Sequence, residues 1–312
     1  MNIVFFGSSE FAVASLRVLV GSGHSVVSVV TQPDKKGGRN LNVVSPPVKT
    51  AAGSLGLGVV QPENASSSES VRRLKSLNAD LFVVVAFGQI LSDEVLSVPK
   101  RYSINLHGSL LPWYRGAAPI NWAVINGDAK TGVTVMRMVG KMDAGDIIAS
   151  QEIRLNTDET SEALGKRLAK AGSELLLATI AVIEQGKEEF ITQDERYVTF
   201  APKLKKTDGL IDWKKPAKRI TNLVRGVLPW PGAYTHLGKK TLKILKTELV
   251  SEQAADDLKP GQVVGRIQGK GFTVQTGSSP ILIKTLQLEG KKALDAEAFL
   301  RGHPLKRGDV LG

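Results

Sequence analysis

The chain has 312 residues, enough for one large domain or two of ordinary size. Its 42% hydrophobic and 23% charged residues are those of a folded soluble protein, and no run of eighteen apolar residues offers a membrane span. Zero cysteines exclude disulfides and thiolate metal sites. The N-terminus enters apolar Asn2-Ile3-Val4-Phe5-Phe6 directly, so no targeting segment is expected, and the cytoplasm is the expected location. The net charge of +11 is unevenly divided. Residues 1–200 hold 20 Lys+Arg against 20 Asp+Glu, whereas residues 201–312 hold 21 against 10. A basic last third points to a polyanionic partner, most often nucleic acid, and two charge characters imply two domains.

Residues 3–6 predict a strand ending at Gly7. Residues 11–20 carry Phe11, Ala14, Leu16 and Leu19 at helical spacing and stop at Gly21 and Gly23. Residues 26–30 form a continuous apolar run, as in a strand buried on both faces. Short helices are expected at 47–55 and 69–77, the clearest central strand at 79–87 (ADLFVVVAF), a helical piece near 91–96, and a strand at 103–106. This alternation predicts a doubly wound α/β domain on a mainly parallel sheet. The first turn keeps only Gly7 of the Gly-x-Gly-x-x-Gly fingerprint, and the second strand ends in Thr31-Gln32-Pro33 rather than an acidic residue. A nicotinamide cofactor is therefore not expected. Residues 32–47, QPDKKGGRNLNVVSPP, read as a long polar loop with Lys35, Lys36 and Arg39. Loops of that length are functional or disordered.

Further on, residues 117–126 read as a helix, and 131–139 and 147–153 as strands flanking the turn Lys141-Met142-Asp143-Ala144-Gly145-Asp146. Residues 160–183 predict a long helix with Leu164, Leu168, Leu175, Leu176, Thr179 and Ile183 on or near one face, started by the capping types Thr157, Asp158 and Thr160. The expected division is a catalytic domain over 1–188, a polar linker over 189–206 and a basic domain over 207–312. In the last, a helix at 215–224 precedes short strands at 241–246, 262–267, 272–276 and 281–286 with glycines between them, which predicts a small, OB-like β-barrel. Its few aromatics favour phosphate contact over base stacking.

Chemistry concentrates in SINLHGSLLPWYRGAAPI, residues 103–120. Side chains two apart on a strand share a face, so Asn105 and His107 project together at the carboxyl end of a parallel strand, where α/β proteins bind ligands. The amide can donate to a developing oxyanion. The Gly108–Pro112 loop lets backbone N–H groups approach a ligand. Asp143, or its rival Asp146, would add a carboxylate if the fold brings it within reach. The histidines at 24, 107, 236 and 303 have no metal-ligand spacing, and Ser109 lacks the Gly-x-Ser-x-Gly setting of a nucleophile. What remains is acid–base and electrostatic catalysis on a bound acyl donor and an amine.

Asn105-Leu106-His107-Gly108-Ser109-Leu110-Leu111-Pro112, then Arg115-Gly116-Ala117-Ala118-Pro119-Ile120 and Asp143-x-Gly145-Asp146, together resemble the folate-dependent formyltransferases. The resemblance covers essentially the whole chain. It implies 10-formyltetrahydrofolate as donor, no metal, and Asn105, His107 and Asp143 as catalytic residues. It further implies a folate site lined by Phe87, Gly88, Gln89 and Ile90 with Ser109, Leu110, Leu111 and Pro112. The Asn-x-His…Asp core is shared with glycinamide ribonucleotide formyltransferase and formyltetrahydrofolate hydrolases, so it fixes chemistry more than acceptor. The Arg115–Ile120 extension, Thr31-Gln32-Pro33-Asp34 and Leu228-Pro229-Trp230-Pro231 narrow the resemblance to members that formylate initiator methionyl-tRNA for translation initiation. Lys35, Lys36 and Arg39 are then expected on the tRNA, with no membrane contact and a monomeric chain. The alternatives are a formyltetrahydrofolate hydrolase, or a formyltransferase for a small amine such as a sugar nucleotide or glycinamide ribonucleotide. Neither needs the charge of residues 207–312. A non-catalytic RNA-binding protein is the reading of a different class, and the presence of all three polar residues disfavours it.

Overall fold

The computed structural model describes residues 1–37, 42–251, 254 and 257–312. The first part of the chain runs β1 (Asn2–Gly7), α1 (Glu10–Val20), β2 (Ser25–Val30), β3 (Lys35–Gly37), β4 (Asn42–Val44), α2 (Pro47–Ser54) and β5 (Val59–Val60). It continues through α3 (Ser68–Ser76), β6 (Leu81–Val85), α4 (Asp93–Leu96), β7 (Ser103–His107), α5 (Pro119–Asn126), β8 (Lys130–Arg137), β9 (Ile147–Arg154) and α6 (Ser161–Glu184). Seven of these strands form one sheet in the order β5-β2-β1-β6-β7-β8-β9. The pairings from β5 to β7 are parallel and the last two antiparallel. The doubly wound, mainly parallel expectation therefore holds. Every residue of β6 and β7 is buried, which explains why β6 reads as an unbroken apolar run.

Helix starts follow the side-chain chemistry. Ser67 and Ser92 accept hydrogen bonds from Ser70 N (3.2 Å) and Val95 N (3.4 Å), and Thr160 accepts from Ala163 N (3.2 Å) at the head of α6. The chain winds outward through β2 and β5, then returns to β6 and β7 on the other side of β1. At such a reversal, here at the carboxyl ends of β1 and β6 and one strand away from the end of β7, α/β sheets bind their ligands.

Two features differ from the sequence expectation. Residues 32–47 contain the antiparallel pair β3–β4. Its root is fixed where Asp34 accepts from Lys49 Nζ (2.6 Å) and Gln61 Nε2 (2.9 Å). Three-residue strands are too short to leave a period in the sequence. The second feature is the partition into two compact units. One comprises Met1–Pro119, Lys130–Arg154 and Gly165–Pro202, the other Ile120–Ala129, Leu155–Leu164 and Lys203–Gly312. Residues 190–202, expected within a linker over 189–206, thus belong to the first unit. Main-chain bonds hold them there: Ile191 pairs with Ile147, and Arg115 exchanges bonds with Thr199 and Ala201.

The second unit adds α7 (Ala217–Gly226), β10 (Ala233–Leu237), β11 (Lys240–Leu249), β12 (Val263–Ile267), β13 (Gly271–Val274), β14 (Ile281–Leu288), β15 (Leu294–Asp295) and α8 (Ala296–Gly302). Its antiparallel sheet has the order β10-β11-β14-β13-β12, with β15 on β14. The last residues bring the two edges together. Val310 bridges Gln262 beside β12, and Gly312 N donates to His236 O of β10 at 3.0 Å. The arrangement fits the expected small barrel. Its core includes Trp213, Ile220, Phe272, Ile283 and Phe299, and the Trp213 indole N–H satisfies itself on Thr235 Oγ1 at 3.1 Å.

Candidate active site

Asn105 and His107 lie two residues apart on β7, as the strand period requires, and both are buried. Asn105 is 9% exposed, and its side-chain amide has no hydrogen-bond partner among the described residues. The amide is thus free to donate to a ligand at the strand end. His107 Nε2 lies 2.9 Å from the Tyr114 carbonyl oxygen. A carbonyl can only accept, so Nε2 carries a proton. The opposite edge of the ring, Nδ1, faces Asp143 Oδ2 at 3.7 Å. Gly116 N donates to the same carboxylate oxygen at 2.8 Å. The structure thus brings the three polar residues together.

The Asp143 turn is held from below. Gln193, 6% exposed, donates from Nε2 to the carbonyl oxygens of Asp143 (2.9 Å) and Gly145 (2.7 Å). Its Oε1 accepts from Nε (3.1 Å) and Nη2 (2.9 Å) of Arg115. Arg115 is only 1% exposed, and its Nη2 also lies 2.9 Å from Glu195 Oε1. Glu195 Oε2 meets Lys141 Nζ at 3.3 Å. The Arg115 guanidinium, and after it Lys141, hold the Glu195 carboxyl below its usual range. Tyr114 (φ 63°), Asp143 (φ 50°) and Ala86 (φ 45°) all adopt positive φ without being glycine. Each such residue costs on the order of 1–3 kcal/mol, and such strain collects at functional sites. Two glycines are obligatory beside them. At Gly116 (φ 125°) a Cβ would come within 2.6 Å of Ala201 O, and at Gly145 one would collide with the Arg137 carbonyl.

The expected folate residues divide by what remains free. The Phe87 ring is buried with Phe6 and Phe82, leaving its carbonyl, which accepts from Ser8 Oγ (2.8 Å) and Gln32 Nε2 (3.1 Å). Gly88 takes φ 85°, and Ile90 is 76% exposed. The Gln89 side chain is engaged with Ala65 N (2.8 Å) and Pro62 O (3.1 Å). Ser109 is fully buried and its hydroxyl donates to Trp113 O at 2.6 Å. Thr134 Oγ1 pins the same loop, donating to Ser109 O (2.7 Å) and accepting from Leu111 N (3.2 Å). The Ser109 and Gln89 side chains therefore shape the loops, leaving Ile90, Leu110, Pro112 and exposed main chain to meet a ligand. Leu111 is buried.

Of the basic residues, Lys35 is exposed and its Nζ donates to Gln32 Oε1 at 2.7 Å. Lys36 lies on β3, and Arg39 falls outside the described residues. Among the described residues no group of three or more His, Cys, Asp or Glu is placed to hold a metal ion. Sequence reasoning missed Gln193 and Glu195, which sit in a polar stretch without periodicity, and the burial of Arg115.

A family model described as "Formyl transferase" matches residues 1–180, and one described as "Formyl transferase, C-terminal domain" matches residues 203–304. The chain is 44% identical over 312 residues to a methionyl-tRNA formyltransferase of Geobacter metallireducens, covering 100% of this chain and 99% of that protein. It is 43% identical over 312 residues to one of Moorella thermoacetica, again covering 100% and 99%. Among solved structures, a sugar 3N-formyl transferase, WlaRD, determined in the presence of dTDP and 5-N-formyl-THF, matches with a TM-score of 0.68 at 20% identity, over 94% of this chain and 99% of that one. HypX from Aquifex aeolicus in complex with tetrahydrofolic acid matches with a TM-score of 0.64 at 19% identity, over 100% of this chain and 50% of that one. At such identities the solved structures speak for the fold. With both halves matched and full-length relatives above 40% identity, the chain belongs to the formyl transferase family.

Proposed function

We propose that the chain transfers the formyl group of 10-formyltetrahydrofolate to the α-amino group of methionine on initiator methionyl-tRNA. The observation that carries this reading is the 44% identity to a methionyl-tRNA formyltransferase along the entire chain, basic C-terminal domain included. The site chemistry agrees with it. The neutral amine attacks the formyl carbon, forming the new C–N bond and a tetrahedral oxyanion. Asn105, whose amide is uncommitted, and the His107 imidazole stabilise that oxyanion. Asp143 orients His107 and accepts the proton that the attacking nitrogen must lose. Collapse breaks the bond to N10 of the folate, which takes up a proton and leaves as tetrahydrofolate.

In this reading the folate lies past the strand ends against Gly88, Ile90 and the 109–112 loop. Lys35, Lys36 and Arg39 meet the acceptor tRNA, and the enzyme works as a monomer in the cytoplasm. No helix among the described residues is long and apolar enough to cross a membrane. Sugar formylation is the competing reading because sugar formyltransferases share the fold. It leaves the +11 charge of residues 201–312 without a purpose. The test is to supply 10-formyltetrahydrofolate with methionyl initiator tRNA, an amino-sugar nucleotide, or no acceptor. Formylmethionyl-tRNA is expected in the first arm. Formylated sugar, or formate released equally in all three, would overturn the assignment.

A further inference from the structure

The proposed mechanism uses Asp143 but leaves unexplained why a guanidinium and an amide are buried beneath it. Arg115 and Gln193 are 1% and 6% exposed, and Arg115 pairs with a glutamate that is itself 60% exposed. A buried cation is rarely the most stable occupant of its site, since an apolar side chain of similar volume avoids the desolvation. The hydrogen bonds show what the pair does instead. Arg115 can only donate, so Gln193 must turn Oε1 towards it. That choice aims both Nε2 hydrogens at the Asp143 and Gly145 carbonyls, which can only accept. With the amide reversed, all four contacts would be repulsive. Arg115 therefore sets the orientation of Gln193, and Gln193 fixes the backbone of a residue standing at φ 50°. The neighbouring Gly116 N–H holds the Asp143 carboxylate from the other side.

We propose that Gln193, oriented by Arg115, is a positioning residue that holds Asp143 against His107. The proposal rests on the catalytic reading of Asp143 given above. Gln193 is buried and its amide is engaged at both ends by Arg115, Asp143 and Gly145, so its effect must pass through Asp143.

A double-mutant cycle on formyl transfer tests this. Gln193→Leu should lower kcat by about 10- to 100-fold, with KM for folate and for methionyl-tRNA within about twofold of the parent. In an Asp143→Asn background the same substitution should lower kcat by less than about twofold. Equal losses in both backgrounds would overturn the proposal, as would an unchanged kcat. Should Gln193→Leu fail to fold, Gln193→Glu serves, because it keeps an oxygen for Arg115 and loses both donors to the carbonyls. The second readout is independent of which amine is formylated. With ¹⁵N-histidine labelling and the His107 signals assigned through His107→Gln, Gln193→Leu should move them in the direction that Asp143→Asn does. Unmoved His107 signals in a folded Gln193 variant would sink the positioning role whatever the enzyme's substrate. Absence of formylmethionyl-tRNA from the parent, with the His107 signals shifting as expected, would sink only the assigned reaction.

Discussion

At the scale of single residues, position matters more than residue type. Asn105 and His107 are ordinary polar residues until the pleat of β7 puts both on one face at the strand end. Asp143 becomes their partner only because its backbone stands at φ 50° in a turn packed against the Arg137 carbonyl. Gly145 permits that packing, and Gly145→Ala should therefore displace the turn. Formyl transfer by this variant should fall at least about tenfold, while thermal unfolding shows a loss on the order of 1–3 kcal/mol, as for an overpacked site. Retention of full activity would mean that the Asp143 turn is not held by this contact. The face shared by Asn105 and His107 was legible in the sequence because strand geometry is local. The approach of Asp143 was not, since it depends on Gln193, fifty residues further on and inside a stretch with no pattern.

At the scale of elements, the extended segment 190–202 deserves the name of strap more than that of linker. It pairs with the start of β9 through Ile191 and with the Arg115 loop through Thr199 and Ala201, and it carries Gln193 and Glu195. Its polar composition reads as solvent-exposed, but its bonds are made by main chain, which leaves no side-chain period to detect. The core helices and the strands β1, β2 and β6 were legible because burial imposes period or continuity on them. By contrast β5 and the β3–β4 hairpin, at two to three residues per strand, were too short.

The Arg115–Glu195–Lys141 bridge gives the strap a pH signature. Because the folded-state pKa of Glu195 is depressed below its ordinary 4.5, its stabilisation is present above that value and is lost as pH falls through the lower folded value. Wild type should exceed Glu195→Gln in Tm by a constant margin from about pH 8 down to about pH 5, and the margin should shrink progressively as the pH falls below 4.5. A margin that grows on acidification would contradict the bridge.

At the scale of the whole molecule, the excess of positive charge lies where the family's C-terminal domain lies. Within the barrel, the β10–β11 turn carries exposed Lys239 and Lys240, and the segment between β14 and β15 carries exposed Lys291 and Lys292. Thr241 and Glu289 exchange hydrogen bonds that bring these two segments side by side. If this cluster faces tRNA phosphates, replacing all four by Gln should reduce the slope of log affinity against log salt by up to about 3. The single-turnover rate at saturating tRNA should be unaffected. An unchanged slope would place the phosphate contacts elsewhere on the domain. Charge partition and domain class were legible in the sequence, whereas the closure of the barrel by residues 308–312 was not, because it depends on tail residues joining two strands far apart in the chain.

The most direct test of the account is single-turnover formyl transfer to methionyl initiator tRNA by wild type and by Asn105→Ala, with tRNA affinity measured on both. Asn105 offers an uncommitted amide to the proposed oxyanion site, and loss of such a donor typically slows the chemical step by about 100- to 1000-fold. The account predicts that loss with tRNA affinity unchanged. A near-wild-type rate in Asn105→Ala would contradict it.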